Sequence, residues 1–419
     1  MANSAGYSGV NRYLQCLSTG LKYKNNYKLY WIHLLSSKEL ILHRIEYLKN
    51  MIKITIPLPE DADNIITYKY FMNIYCDVIW KIVSKHFTKE DFLILHLHTL
   101  NTITLALKIK EELINVKIIN HVHCIPWKDK LNSNSSEFNT LYRKYYLNKI
   151  KHYKRREYLT SFSELDSYLK SDYLICVTQC AREFLIRIMG IDKHKISVIS
   201  NGIEDATAQF RRNTSDKKML RLLFVGTIIH SKGIEFILQA MILLKKKGID
   251  VELRIVGGGM PYYIEMLRAK YKELRVNFLG LLDFNQLTHQ YKQCDIGVMV
   301  SLQEQCSYAA IEMAMFGMPM VITSVDGLDE MFSDGNDCMK VSTIFDKDGL
   351  RVDIKELAEK IELLICSTDL RQKLSDGSRI KYLKCYGIKK MVRLVQNKYK
   401  LLIKINNDEK NEINSHVYR

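Results

Sequence analysis

Long apolar runs are absent from this chain: nowhere do about 18 uncharged apolar residues stand together, the length a helix needs to cross a bilayer. The opening Met1-Ala-Asn-Ser-Ala-Gly has neither the basic nor the apolar segment of a secretion signal. Paired cysteine spacings of the metal-binding kind are also missing. The chain is far too large for a disulfide scaffold, so its 10 cysteines read as free thiols in a reducing compartment. No short tandem repeat is visible, and no nucleic-acid-binding module accompanies the basic charge. These absences point to a cytoplasmic protein without a nucleic-acid partner.

What is present is ordinary globular composition, 47% hydrophobic and 26% charged. At 419 residues the chain exceeds what a single core sustains, so two domains are expected. Abundant Lys, Ile, Asn and Tyr suggest that compositional drift contributes to the net charge of +16. The charge is unevenly spread: residues 1–200 hold 29 Lys and Arg against 18 Asp and Glu. A first half of this kind attracts anionic substrates or an acidic membrane surface, or is simply a solvated basic face. Tyr142–Tyr158, with seven Lys and Arg among five tyrosines, reads as a basic amphipathic helix suited to peripheral contact with an anionic membrane, or as a solvated helix.

Short β-branched runs alternate with helical periodicity almost throughout, which argues for parallel α/β structure. Strands are expected at Tyr27–Leu34, Met51–Ile56, Phe92–His96, Lys117–His121, Tyr173–Val177 and Ile196–Ile199. Helices are expected at Thr102–Leu113 and Cys180–Met189. A polar, aperiodic stretch then reads as a linker, and a second α/β series begins at Arg221–Val225. The domain boundaries follow: 1–204, a linker over 205–219, 220–385, a final helix over 386–405 packing back on the first domain, and a disordered tail over 406–419. Ser367 is a candidate break in the helical stretch Ile354–Leu374. Gly6-Tyr7-Ser8-Gly9 looks like a glycine loop opening an amphipathic helix, yet only five residues precede it. In a doubly wound sheet such a loop follows a central strand, so the native start is expected upstream, encoding one more apolar strand.

The sharpest chemical signal is SLQEQCSYAAIEMAMFGMPMVIT, residues 301–323. Glu304 is placed just outside a helix start near Tyr308 and Glu312 within the first turns. The N–H groups and partial positive charge of that start suit an anion, while the two carboxylates suit sugar and ribose hydroxyls. Here the chain resembles the retaining glycosyltransferases of family 4 (glycosyl transferases group 1), whose two glutamates are separated by seven intervening residues in this setting. The resemblance extends in order through Gly6–Gly9, Val122-His123, Ile199-Ser200-Asn201-Gly202, Phe224-Val225-Gly226, Lys232-Gly233, Arg254-Ile255-Val256-Gly257, Phe278-Leu279-Gly280, Gly327-x-x-Glu330 and Asp334-Gly335.

The resemblance implies a GT-B architecture, two Rossmann-like parallel-sheet domains facing across a cleft. It implies transfer of a sugar from a UDP- or GDP-sugar donor to a glycan, lipid-linked or peptide acceptor, with anomeric retention and without a metal or other cofactor. Glu304 would bind the transferred sugar, assisted by backbone N–H groups of Gln305, Cys306 and Ser307. Glu312 would hold the ribose, and Lys232 would neutralise the departing diphosphate. Gly9, Gly226 and Thr227 would line the donor site, and His123 would approach donor sugar and acceptor. His121 filling that role, or a packed core histidine, are the competing readings. His96 and His98 complete a small histidine cluster, for which metal binding is a secondary reading. Thr227 stands where the family has arginine, with Arg12 and Arg182 as conceivable substitutes; Gln305-Cys306-Ser307 replaces Gly-Phe-Gly, and Cys124 replaces an aspartate. Alternatives are a nucleotide-sugar epimerase of the same architecture, or a catalytically weak glycan- or partner-binding protein on this scaffold.

Overall fold

The structure, a computed structural model, describes residues 9–21, 28–34, 40–49, 51–57, 69–99, 102–125, 128, 165–207, 210, 212, 219–346 and 349–417, excepting the side chains of 69–71, 346 and 406–417. Gly6–Ser8, the basic stretch Tyr142–Tyr158 and most of the expected linker lie outside these residues.

The second domain sets the geometry of the site. Its strands β8 (Arg221–Val225), β9 (Glu252–Val256), β10 (Arg275–Gly280), β11 (Ile296–Met299), β12 (Met320–Thr323) and β13 (Met339–Val341) form one sheet. The order is β10-β9-β8-β11-β12-β13, every pairing parallel. The sequence is wound outward in both directions from β8, so the chain reverses direction between β8 and β11. A doubly wound sheet opens its ligand crevice at such a reversal, beyond the carboxyl ends of the strands. Strands buried on both faces need unbroken apolar runs, and β11 and β12 are buried at every residue. Helices Ile234–Lys246 and Ile354–Cys366 cover one face, their Ile237, Leu244, Leu357 and Ile361 packed against Leu222, Leu253 and Val298.

The first domain begins with α1 (Gly9–Leu21) and carries β1 (Leu29–His33), β2 (Arg44–Leu48), β3 (Met51–Thr55), β4 (Leu93–Leu97), β5 (Val116–Val122), β6 (Tyr173–Cys176) and β7 (Ile196–Val198). They form two sheets, β1-β3-β2 and β4-β5-β6-β7, with β2 antiparallel and the other pairings parallel. Among the described residues no ladder joins β1 to β4. Both sheets nevertheless share one core, where Ile54, Ile79, Ile109 and Val116 meet Ile32, Leu93 and Leu95. The antiparallel β2 and a helix over Lys69–Val83 are additions to the expected order.

The domains are tied together where two segments run side by side in a parallel bridge between Ile203 and Gly387. Ile203 N–H donates to Tyr386 O at 2.9 Å, and Ile388 N–H donates back to Ile203 O at 2.9 Å. The final helix, Ile388–Val417, then returns along α1: a Cβ on Gly20 would lie 2.3 Å from Val392 Cγ2. It continues beyond the boundary expected at 405, so the stretch expected to be disordered is helical through Val417. Adding a residue to an existing helix is far easier than nucleating one, and the Glu and Lys residues there favour it. Ser367 does separate two helices, Ile354–Cys366 and Thr368–Cys385; its hydroxyl caps the second by accepting from Leu370 N–H at 3.1 Å.

Candidate active site

The loop after β8 and the loop after β11 leave the sheet side by side at the reversal point. Gly226 closes the first strand, its N–H donating to Val256 O at 3.0 Å. Thr227 follows, exposed. A single turn, His230–Lys232, then ends at Gly233, whose φ of +75° strains any residue with a side chain. A Cβ there would also stand 2.0 Å from Val300 O. Glycine thus lets the turn lie directly against the end of β11, and Lys232 Nζ reaches Glu304 Oε2 at 2.5 Å. Both side chains remain partly open to solvent, 26% and 16% exposed, so a ligand can still compete for them.

Beyond Glu304, the residues expected to line the sugar pocket are held by other work. Gln305 is buried and accepts a hydrogen bond from Thr178 Oγ1 of the first domain at 2.9 Å. Cys306 O accepts from Asn201 Nδ2 at 2.8 Å, also across the cleft. Burial pushes the Cys306 thiol up to about 12, so it stays protonated and unreactive at neutral pH. Ser307 caps the helix that follows, Tyr308–Met315, its Oγ accepting from Ala310 N–H at 3.3 Å. Gly9 of the first domain approaches the same helix start: a Cβ on it would lie 3.9 Å from the Tyr308 ring.

Glu312 lies one turn inside the helix Tyr308–Met315, 7% exposed. Tyr291 Oη donates to its Oε2 at 2.8 Å, and Arg12 Nη2 of α1 stands 3.5 Å from its Oε1. Burial holds the carboxyl above the usual glutamate range, against the pull of Arg12 and of the Tyr291 hydrogen bond. Arg12 also lies over the Phe284 ring, 5.2 Å from its centre. Of the two arginines considered as substitutes at Thr227, Arg12 therefore reaches the site, while Arg182 pairs with its neighbour Glu183 at 3.0 Å.

His123 follows β5 and joins the other three histidines in one cluster. Its Nε2 lies 3.0 Å from His98 Nδ1, while His96 Nε2 lies 3.1 Å from His121 Nδ1. Tyr13 of α1 packs on the His121, His123 and His98 rings at 4.4, 4.9 and 5.3 Å. Desolvation lowers His96 and His123 to about 3, and His98 and His121 also fall well below the ordinary value, so all four rings are neutral near pH 7.

Some residues that build this site carried no role in the sequence reading. Arg212, inside the presumed polar linker, is half-buried and donates to Cys294 O at 2.6 Å, to Phe316 O at 3.2 Å and to Tyr291 O. It fixes the backbone of the tyrosine that holds Glu312. Glu330 caps the helix Gln179–Arg187 of the first domain, accepting from Gln179 N–H at 2.7 Å and Cys180 N–H at 2.9 Å. Its spacing from Gly327 was visible; its partner was not.

The comparisons with known proteins agree with this fold. The family model for "Glycosyltransferase Family 4" matches residues 7–207, and that for "Glycosyl transferases group 1" matches residues 220–367. The chain belongs to the group 1 glycosyltransferases of GT-B fold. An uncharacterised glycosyltransferase of Methanocaldococcus jannaschii is 31% identical over 193 residues, 42% of this chain and 46% of that protein. The chain spans about half the length of the curated relatives it matches. In three dimensions, sucrose-phosphate synthase from Thermosynechococcus elongatus superposes with a TM-score of 0.72 at 16% identity, over 95% of this chain and 94% of that one. HepE from Anabaena, solved in complex with UDP-glucose, superposes with a TM-score of 0.58 at 15% identity, over 77% and 82%. Among the described residues of this group 1 member no helix is long and apolar enough to cross a membrane.

Proposed function

We propose that this protein transfers a sugar from a nucleotide-sugar donor, a UDP- or GDP-sugar, to a glycan, lipid-linked or peptide acceptor with retention at the anomeric carbon. The carrying observation is the 2.5 Å contact of Lys232 with Glu304 at the mouth of the cleft, with buried Glu312 one helical turn behind. Without donor, the lysine and the glutamate satisfy each other. With donor, Lys232 turns to the diphosphate and Glu304 to the sugar hydroxyls, so each loses a partner only as it gains another. As the glycosidic bond breaks, negative charge grows on the leaving diphosphate, and a fixed ammonium stabilises that charge more than it stabilises the ground state. Glu312 receives the ribose diol, with Gly9, Gly226 and Thr227 lining the donor.

Arg12 supplies the cation that Thr227 lacks, contributed by the first domain and so brought to the donor by domain closure. His123 faces the acceptor side. The backbone of Gln305, Cys306 and Ser307, held by Thr178 and Asn201, shapes the sugar pocket. No metal takes part in this transfer step, and the enzyme works in the cytoplasm, where nucleotide sugars are at hand, against an anionic membrane face.

A screen of nucleotide sugars with the intact protein, read by mass spectrometry, tests the proposal. One donor should be consumed, and its product with acceptor should keep the donor's anomeric configuration by NMR. Release of an epimerised sugar nucleotide or free epimer, independent of acceptor, would identify the epimerase alternative. Failure to consume any donor would leave a binding protein on this scaffold.

A further inference from the structure

The four clustered histidines have no task in the transfer step except at His123, and their placement is unusual. Two pairs spaced i, i+2 stand at the ends of adjacent parallel strands. The last ladder pair of β4 and β5 is Leu97 with Asn120, so the next step sets His98 opposite His121. Strand alternation then turns His96, His98, His121 and His123 to one face.

We propose that His96, His98 and His121 form a binding site for one divalent transition-metal ion of the zinc class. One ring nitrogen from each lies within 4.8 Å of the others. His96 Nε2 and His121 Nδ1, 3.1 Å apart, already span about the 3.3 Å edge of a tetrahedron built on zinc–nitrogen bonds near 2.05 Å. The surroundings also match what metal-bound histidines need, a partner that fixes the second ring nitrogen. His96 Nδ1 has the Tyr399 hydroxyl at 2.8 Å, and His98 Nδ1 has His123 Nε2 at 3.0 Å. Both rings can therefore present Nε2 to an ion while Nδ1–H donates outward.

His121 is 3% exposed, and its Nε2 has no hydrogen-bond partner among the described residues. A buried polar nitrogen left unpaired carries an uncompensated desolvation cost, so the cluster is poorly satisfied as a set of hydrogen bonds alone. A metal ion changes the accounting, since His121 can ligate through either nitrogen.

An ion here is separate from the Lys232–Glu304 pair and is not part of the transfer chemistry proposed above. Its consequence falls on His123. With His98 Nε2 on the metal, His98 must donate through Nδ1, and His123 must accept through Nε2 and keep its own proton on Nδ1. The ion thus fixes the tautomer and orientation of the histidine facing the acceptor.

The test is calorimetric titration of tag-free, chelator-treated full-length protein with Zn²⁺, alongside the visible spectrum of the Co²⁺ form. One equivalent should bind, and the cobalt spectrum should show tetrahedral d–d bands without thiolate charge transfer. His98→Ala and His121→Ala should each weaken Zn²⁺ binding by more than about a hundredfold, since loss of even an outer partner costs ten- to hundredfold. His123→Asn should weaken it less while keeping the stoichiometry, and His33→Ala, outside the cluster, should leave it unchanged. Unfolding midpoints of the metal-free variants establish that they fold. The site is ruled out if no Zn²⁺ binds, if binding survives both alanine variants, or if a thiolate band assigns the ion to the cysteines. These readouts do not depend on donor turnover, so the metal site and the transfer reaction stand or fall separately.

Discussion

Arg12 Nη2, on the first helix of the N-terminal domain, stands 3.5 Å from Oε1 of Glu312, buried in the helix Tyr308–Met315 of the other domain. A cation of one domain thereby completes the polar environment of a carboxylate in the other. Arg12→Ala should lower kcat/KM for the donor by about tenfold, the loss of one charge-assisted contact. In a double-mutant cycle with Glu312→Gln the two effects should be non-additive by about 1 kcal/mol or more in donor affinity. Additive losses would mean that Arg12 acts elsewhere.

Glu312 itself is held at a cost to stability. Because burial raises its folded-state pKa, ionisation favours the unfolded chain. Its contribution is whole below the unfolded value of about 4.3 and is lost as pH rises through the higher folded value. Glu312→Gln removes that titration and keeps an oxygen for the Tyr291 hydroxyl. The variant should therefore unfold at higher temperature than wild type at pH 7, with the difference shrinking as pH falls towards 4, while donor affinity drops about tenfold or more. A variant less stable than wild type at pH 7 would contradict this account.

Lys232→Ala should reduce kcat by about a hundredfold, about 3 kcal/mol of lost transition-state stabilisation, with a smaller change in KM. Steady-state kinetics with the identified donor decide it. An equal loss confined to KM would place Lys232 in ground-state binding instead.

Gly327→Ala should destabilise the protein more than an ordinary surface substitution. Its Cβ would fall 1.5 Å from Gln305 O and 2.8 Å from Thr178 Cγ2, backbone and side chain at the domain contact. Overpacking of this kind costs about 1–3 kcal/mol, read as a lower denaturant midpoint. An unchanged midpoint would show that the loop moves aside freely.

Cys306→Ala should retain transfer activity, because the thiol is buried and protonated and its backbone carbonyl, not its sulfur, meets Asn201. Brief alkylation followed by mass spectrometry should label exposed Cys124 and Cys366 and spare Cys306. Rapid labelling of Cys306 with loss of activity would instead point to a reactive, nucleophilic thiol.

Much of the second domain was legible because its strands are buried on both faces, and apolar runs such as Ile296–Met299 and Met320–Thr323 have no other stable use. The first domain was harder to read. The antiparallel Arg44–Leu48 is exposed or half-buried throughout, so its pattern lacks the core-facing alternation that marks a strand. The linker reading of 205–219 missed Arg212 because a half-buried arginine satisfied by three carbonyls has the same one-letter appearance as a solvated one.

The sequence by itself determined the alternation of strands and helices, the glycine that permits the Lys232 turn, and the two glutamates on either side of a helix start, since these follow from local periodicity and backbone sterics. Only the tertiary structure decided that Lys232 meets Glu304, that Arg12 reaches Glu312 and that four histidines share one face. Those partners lie tens to hundreds of residues apart, and the winding of the sheet brings them together. Charge and residue type state what a side chain can bind; which partner it finds is set by the packing of elements the chain joins only in space.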